Sequence, residues 1–323
     1  MNFLLRLSLL LLIMTIPIIS FANVIYPPAL KKGDKIAIVA PGWKANKTNV
    51  DLSAEVLKNL GYKPVIYKTA HGDLGNYGGT KEERLADLRN AFLDPDIRVI
   101  LCARGGFGLV HLLDSLATLP IEKDPKWVVG FSDISALHAL MASKGIASIH
   151  ASMVLEVARG MGELENQRLL DIMHGKFPEY KFESDSRNRH GEAEGRLVGG
   201  NLSVLQALID TPYDIFKPGT ILFIEDVGEP IYKIERIFYQ LKMKGVLSDI
   251  HGLVVGSFRK YEDDPDYATM EDMMADVLKD YPELPVAYNA PIGHIRHNQP
   301  VVELSKARLS VRPDGVTLTM IPE

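Results

Sequence analysis

From Lys35 onward, short apolar runs of four to six residues alternate with longer stretches in which apolar positions recur at helical spacing. Runs apolar along their whole length suit strands covered on both faces, and parallel strands need a helical crossover between them. The first half therefore reads as a doubly wound, flavodoxin- or Rossmann-like α/β unit with a mostly parallel sheet. Strands are expected at Lys35–Ala40, Lys63–Tyr67, Arg98–Cys102, Lys126–Gly130 and Ala147–His150, with helices at Val50–Leu60, Thr80–Leu93, Leu109–Ser115 and Ile134–Lys144. Thr80 and Glu83 have capping-box spacing, and Gly61 and Gly145 sit where left-handed C-terminal caps fall.

Residues 181–196 are charged and poor in apolar side chains, so they read as a linker or surface loop. This divides the chain into residues 23–180, a nucleophile-bearing first domain, and residues 197–323, a smaller α/β second domain. In the latter, strands are expected at Thr220–Ile224, Gly252–Val255 and Pro285–Tyr288, helices at Ile231–Lys244 and Glu271–Lys279, and short β segments from Val301.

The first 22 residues carry Arg6, an apolar run from Leu7 to Ile19, and the small-residue end Ser20-Phe21-Ala22. That is the layout of a cleaved export signal, and the run is shorter than the roughly 20 residues of a membrane span. Without it the chain keeps 35 basic and 41 acidic side chains. That acidic balance does not favour nucleic acid. Cys102 is the single cysteine, which excludes an intrachain disulfide and a thiol-based metal cluster, and its apolar neighbours make it a buried structural residue.

Chemistry in open α/β sheets gathers beyond the carboxyl ends of strands, where loops and helix N-termini converge. Four polar signals fall there: Arg104-Gly105-Gly106, Ser132-Asp133, Glu225-Asp226 and Gly293-His294. Ser132 lies in a strand-to-helix turn whose backbone N–H groups would favour an oxyanion, although Ser132 or Asp133 capping the next helix is the simpler reading of the turn alone. The α/β-hydrolase elbow, with glycine two residues after the serine, is not matched, because Ile134 stands there.

Among nine histidines, His138 reads as a packing residue inside a helix, whereas His294 follows a glycine in a loop. His297 could pair with His294 on a metal, but no His-Glu-x-x-His helix or further ligand cluster accompanies them, so no metal is assigned. Glu225, Asp226 and Glu229 are the acids available to orient an imidazole, with helix capping the alternative for the last two. The Arg104–Gly108 loop lacks the pattern of a P-loop or dinucleotide site, and either a tight turn or a backbone donor to substrate remains open.

Taken together, the segments Ile36–Pro41, Ala103–Gly108, Gly130–His138, Gly199–Leu202, Glu225–Val227 with Glu229 and Tyr232, and Pro291–His294 resemble the LD-carboxypeptidase family. That family includes muropeptide LD-carboxypeptidases and microcin C self-immunity proteins. The resemblance implies Ser132 as nucleophile, His294 as general base, Glu225 as its orienting acid, and an oxyanion hole from the backbone N–H groups of Gly106 and Asp133. It also implies a two-domain enzyme, commonly a homodimer, without metal or organic cofactor, whose triad is split between the domains. The implied substrate is a muropeptide, cut between the L-centre of meso-diaminopimelate or lysine and terminal D-Ala; the signal layout of residues 1–22 places the chain in an exported, periplasmic setting. Arg104 is a candidate for the terminal carboxylate, with Asn201 and Glu229 as further substrate contacts.

Two segments depart from the family pattern, Ala151-Ser152 after His150 and the run from Ile295 to Leu304, and both are expected to border the cleft. Two alternatives accompany the muropeptide reading. One is a microcin-immunity-like hydrolase of aminoacyl nucleotides, disfavoured because Trp43 and Trp127 are the only tryptophans and residues 181–196 hold no aromatic beyond Phe182. The other is a periplasmic solute-binding protein that cleaves nothing.

Overall fold

The computed structural model describes residues 23–323, so the export-signal reading of residues 1–22 lies outside it. The first five strands are β1 (Lys35–Val39), β2 (Lys63–Ile66), β3 (Ile97–Cys102), β4 (Trp127–Gly130) and β5 (Ser148–His150). They pair in parallel in the order β5-β4-β3-β1-β2, the doubly wound arrangement expected from the apolar runs. Helix Lys81–Leu93 starts at Thr80, whose hydroxyl accepts the Glu83 N–H while the Glu83 carboxylate accepts the Thr80 N–H. Gly61 and Gly145 both have positive φ.

The second sheet is built from β6 (Glu179–Phe182), β7 (Gly191–Asn201), β8 (Thr220–Val227), β9 (Gly252–Arg259) and β10 (Val286–Ala287), later joined by two C-terminal strands. After β10 the chain returns to the first sheet, where β11 (Val301–Glu303) pairs antiparallel with β5. It then closes the second sheet with β12 (Lys306–Arg312) and β13 (Gly315–Ile321). The order of this seven-stranded sheet is β10-β9-β8-β7-β12-β13-β6, parallel from β10 to β7 and antiparallel beyond.

Three expectations are corrected. Residues 181–196 are not a free linker: they contain the end of β6 and the first half of β7. Their charges occupy the solvent face of a sheet, where Glu192 and Glu194 pair with Arg312 and Arg308 on β12, each at 2.6 Å. The second sheet has seven strands against six in the first, and its terminal β segments, expected to be short, are full seven-residue strands. Residues 197–323 do not stay in one layer, because β11 crosses back.

The two sheets share their apolar core. One cluster joins Val39, Leu88, Ile100 and Leu140 of the first half to Val198, Leu222, Ile234 and Phe238 of the second. Burial on this scale, at about 25 cal/mol per Å² of apolar surface, favours a fixed rather than a hinged junction. A hydrogen bond reinforces it: the Asn201 N–H at the end of β7 donates to Ser135 Oγ at 3.0 Å, in the helix Ser135–Ser143. Among the described residues, no helix is long and apolar enough to cross a membrane.

Candidate active site

The turn after β4 is strained at one residue. Ser132 has φ +67°, a left-handed conformation that costs a side-chain-bearing residue about 1–3 kcal/mol. It opens a single 3₁₀ turn, Ser132–Ile134, that runs directly into the helix Ser135–Ser143. Neither Ser132 nor Asp133 caps that helix; its N-cap position is Ile134, with no side-chain bond. The capping alternative therefore does not account for the turn.

Asp133 is used elsewhere. Its carboxylate is buried and accepts the Leu109 N–H at 3.0 Å, tying the turn after β4 to the loop after β3. Arg84, also buried, donates to the carbonyls of Pro41 at 2.6 Å and Gly108 at 3.1 Å, and the Trp43 N–H donates to Gly105 O at 2.9 Å. The loops after β1, β3 and β4 thus form one bonded unit. Burial pushes the Asp133 carboxyl up to about 6, against the lowering effects of the Leu109 N–H and the Arg84 charge. Gly105 allows the close fit: a Cβ there would lie 2.8 Å from Ser132 Cβ and 3.1 Å from Asp133 N. Gly106, with positive φ, follows against the Trp43 ring.

Glu225 and His294 come from the second sheet. The sequence expectation ended a strand at Ile224, but β8 continues to Val227, so Glu225 lies within it beside an irregularity in the pairing with β9. Its carboxylate is fully buried and Oε2 accepts from His294 Nδ1 at 2.6 Å, while Oε1 has no hydrogen-bond partner among the described residues. The loop carrying His294 is anchored to β9 by the Ser257 N–H donating to Ile292 O at 2.9 Å, and to itself by the Gly293 N–H donating to Asn298 Oδ1 at 2.8 Å. A Cβ on Gly293 would lie 2.6 Å from Glu225 Cβ, so glycine is what lets this loop close over the carboxylate.

Burial alone would depress the His294 imidazolium, but the hydrogen bond and charge of Glu225 outweigh it and hold the pKa above the usual 6.5. With Nδ1–H committed to Glu225, neutral His294 carries its lone pair on Nε2.

Ser132, His294, Gly106 and Phe131 line one cleft of about 840 Å³, with the Phe131 and His294 rings in edge contact at 4.9 Å between centroids. Four cations, Arg104, Arg159, Lys260 and Arg296, share this wall with one carboxylate, Glu156. A direct Ser132–His294 hydrogen bond is not formed among the described residues; such bonds are commonly long before substrate closes a site. Ser132 and Gly106 also border a second, smaller pocket of about 320 Å³ with acidic members Asp133, Asp226 and Glu229. Ser132 therefore stands between a lining rich in cations and one rich in carboxylates.

The remaining predicted residues separate by use. Arg104 is exposed on the cleft wall, its guanidinium 5.6 Å from the Trp43 ring centroid. Asn201 borders the acidic pocket, but Nδ2 donates to Asp226 and Oδ1 accepts from Val204 N and Ser203 Oγ, leaving it a structural cap. Glu229 borders the same pocket and pairs with Lys233 at 3.0 Å. His138 is buried, bonded to Ser148 Oγ and Gly130 O, and burial lowers its pKa to about 4, which keeps it neutral. His297 does not face His294; its Nδ1 points at Glu163 and Glu165. Burial raises the Cys102 thiol far above its usual value, so it is inert.

Two features escaped the sequence reading. Ala151 and Ser152, expected at the cleft, are buried, and of the two departing segments only Ile295 and Arg296 reach the wall. Trp43, set aside as one of two scattered tryptophans, lines the cleft. Its position at the end of β1, beside the switch in strand order, was the available signal.

A 34% identical relative, "Probable murein peptide carboxypeptidase" of Bacillus subtilis, aligns over 72% of this chain and 74% of its own length. The "Murein tetrapeptide carboxypeptidase" of Pseudomonas aeruginosa is 30% identical over 82% of this chain and 89% of its own. Among solved structures, muramoyltetrapeptide carboxypeptidase from Oxalobacter formigenes superposes with a TM-score of 0.78 at 27% identity, covering 88% of this chain and 98% of that one. The wild-type microcin C7 self immunity protein MccF superposes at 0.79 with 22% identity over 93% and 99%, a likeness of fold. The LD-carboxypeptidase N-terminal domain matches residues 36–151 and the LD-carboxypeptidase C-terminal domain residues 194–309, and this chain belongs to the LD-carboxypeptidase family.

Proposed function

We propose that Ser132, His294 and Glu225 act as nucleophile, general base and orienting acid in a serine-type LD-carboxypeptidase. The supporting observation is the buried Glu225–His294 bond at 2.6 Å, which leaves Nε2 as the basic nitrogen on the wall of the cleft that also holds Ser132. His294 Nε2 takes the Ser132 proton as Oγ attacks the scissile carbonyl, and the N–H groups of Gly106 and Asp133 receive the oxyanion. The imidazolium, stabilised by Glu225, returns the proton to the leaving amine, and water deacylates the serine by the same route.

The substrate we propose is a murein tetrapeptide losing terminal D-Ala. Its C-terminal carboxylate suits the wall of Arg104, Arg159, Lys260 and Arg296, with Arg104 the first choice for a charge-assisted contact. An ammonium on the residue before the cut suits the acidic pocket of Asp226 and Glu229. No metal or organic cofactor enters these steps.

Three further features belong to the same proposal: residues 1–22 as a removed export signal, work outside the cytoplasm, and a homodimer. N-terminal sequencing of the secreted chain and sedimentation check them. The aminoacyl-nucleotide alternative needs an open aromatic face for a base, and the Trp43 face carries the Arg104 guanidinium.

Incubating the purified chain with a meso-diaminopimelate tetrapeptide is expected to yield tripeptide and free D-Ala by mass spectrometry. Ser132→Ala is expected to yield neither while still binding the peptide. No D-Ala after long incubation at high enzyme concentration sinks the carboxypeptidase reading, and unchanged release by Ser132→Ala sinks the assignment of the nucleophile.

A further inference from the structure

Outside the cleft, the loop that carries His294 meets the helix Leu164–Met173 of the first half. His297 on the loop faces Glu163, just before the helix, and Glu165 in its first turn. One ligand atom from each of these three residues lies within 4.8 Å of the others. His297 Nδ1 is 3.4 Å from Glu165 and 3.8 Å from Glu163.

Two features set this cluster apart from an ordinary surface ion pair. Glu165 is only 1% exposed, yet its Oε1 has no hydrogen-bond partner among the described residues. A buried carboxylate oxygen without a partner is costly, and this one faces His297 across the cluster. In addition, both Glu165 oxygens stand 3.4 Å from the imidazole nitrogen, beyond the 2.7–3.2 Å of a good N–H···O bond. The three side chains converge on a point between them more than they bond to one another.

We propose that Glu163, Glu165 and His297 bind a zinc-type divalent cation that fastens the His294 loop to the first half of the molecule. At zinc–ligand distances of about 2.0–2.2 Å, tetrahedral ligand atoms stand roughly 3.4 Å apart, so small side-chain rotations complete the site. One imidazole with two carboxylates suits zinc or a neighbouring transition metal. Calcium, which takes six to eight oxygens, finds too few donors. The Arg296 guanidinium, 3.6 Å from Glu163 and 70% exposed, is the competing cation and is free to swing into solvent. The cation has no part in the chemistry at Ser132; it braces the loop, alongside the bond from Arg168 to Gln299 Oε1.

The test is calorimetric titration of the chelator-treated chain with zinc chloride at pH 7.5, with magnesium and calcium chlorides as separate arms. One zinc ion is expected to bind at low micromolar concentration or tighter and to raise the melting temperature, with neither hard cation competing. His297→Ala, at an exposed position that leaves the fold intact, and Glu165→Gln are each expected to weaken binding at least tenfold and to abolish the thermal shift. His294→Ala is expected to keep the binding. Absence of binding to the parent chain overturns the proposal, as does undiminished binding by His297→Ala or loss of binding in His294→Ala, which would put the ion in the cleft.

Discussion

Ser132 and His294 face one cleft from the ends of two different sheets, and they are held there by different forces. Ser132 is held by backbone: a left-handed φ, glycine at Gly105, and three loops bonded together through Asp133 and Arg84. His294 is held by one buried charge, Glu225, under a loop that closes because Gly293 has no side chain. The first arrangement is sensitive to volume, and its one titrating member, Asp133, changes charge at about 6. The second tolerates little change of charge, because Glu225 holds the His294 pKa above the usual 6.5.

The largest effect is expected from removing that charge. Glu225→Gln keeps the shape but offers no carboxylate to the imidazolium, and the comparable loss in a serine triad is about 10⁴-fold in kcat. Its pH profile separates an electrostatic role from a packing one. In the parent, kcat/KM is expected to rise with pH through a value above 6.5, because the base must be neutral and Glu225 raises its pKa. In the variant that inflection moves to lower pH; an unmoved inflection means that Glu225 does not tune His294. Stability runs the opposite way. The raised His294 pKa contributes stability fully present below 6.5 and lost as pH rises through the folded-state value, so chemical denaturation of the parent and variant should converge at alkaline pH.

A volume change on the other side comes next. Gly105→Ala places a Cβ 2.8 Å from that of Ser132, so the turn must shift. About 1–3 kcal/mol of stability and 10- to 100-fold in kcat should go, with the pH inflection unmoved. Equal activity in this variant breaks the picture of a backbone-held nucleophile.

The smallest effect belongs to Asp133→Asn, whose amide oxygen can still accept the Leu109 N–H. Turnover should stay within a few-fold. Because the Asp133 pKa is raised to about 6 from 3.8, its contribution to stability is present below 3.8 and lost as pH rises through about 6. The variant should therefore be the more stable protein at pH 7 and should lack that slope in denaturation experiments between pH 4 and 6.

The same division marks what could be read from sequence. Strands β1 to β5 were legible because a parallel strand covered on both faces must be apolar along its whole length. The β7 strand was hidden for the opposite reason: Glu194 faces water opposite Arg308, and Glu192, opposite Ser310, reaches Arg312, so its first half looks like a charged loop until β12 is placed beside it. The three-residue β11 is too short for a periodic signal, and its partner β5 lies about 150 residues earlier in the chain. In the site, Ser132 and His294 were legible as polar residues at turns near glycine, but their shared cleft was not, because the contacts that create it span the two sheets. Glu225 was placed just beyond a strand ending at Ile224, whereas it lies within β8, because that strand runs on to Val227.

Whether the two sides act as one unit is decided by a double-mutant cycle. D-Ala release from a murein tetrapeptide is measured for Ser132→Ala, His294→Ala and the pair. Each single variant should lose about 10⁴-fold or more, and the double variant no more than the worse of them, because neither group has a task without the other. Losses that multiply, or a single variant that keeps a tenth of the parent's turnover, contradict a shared nucleophile and base.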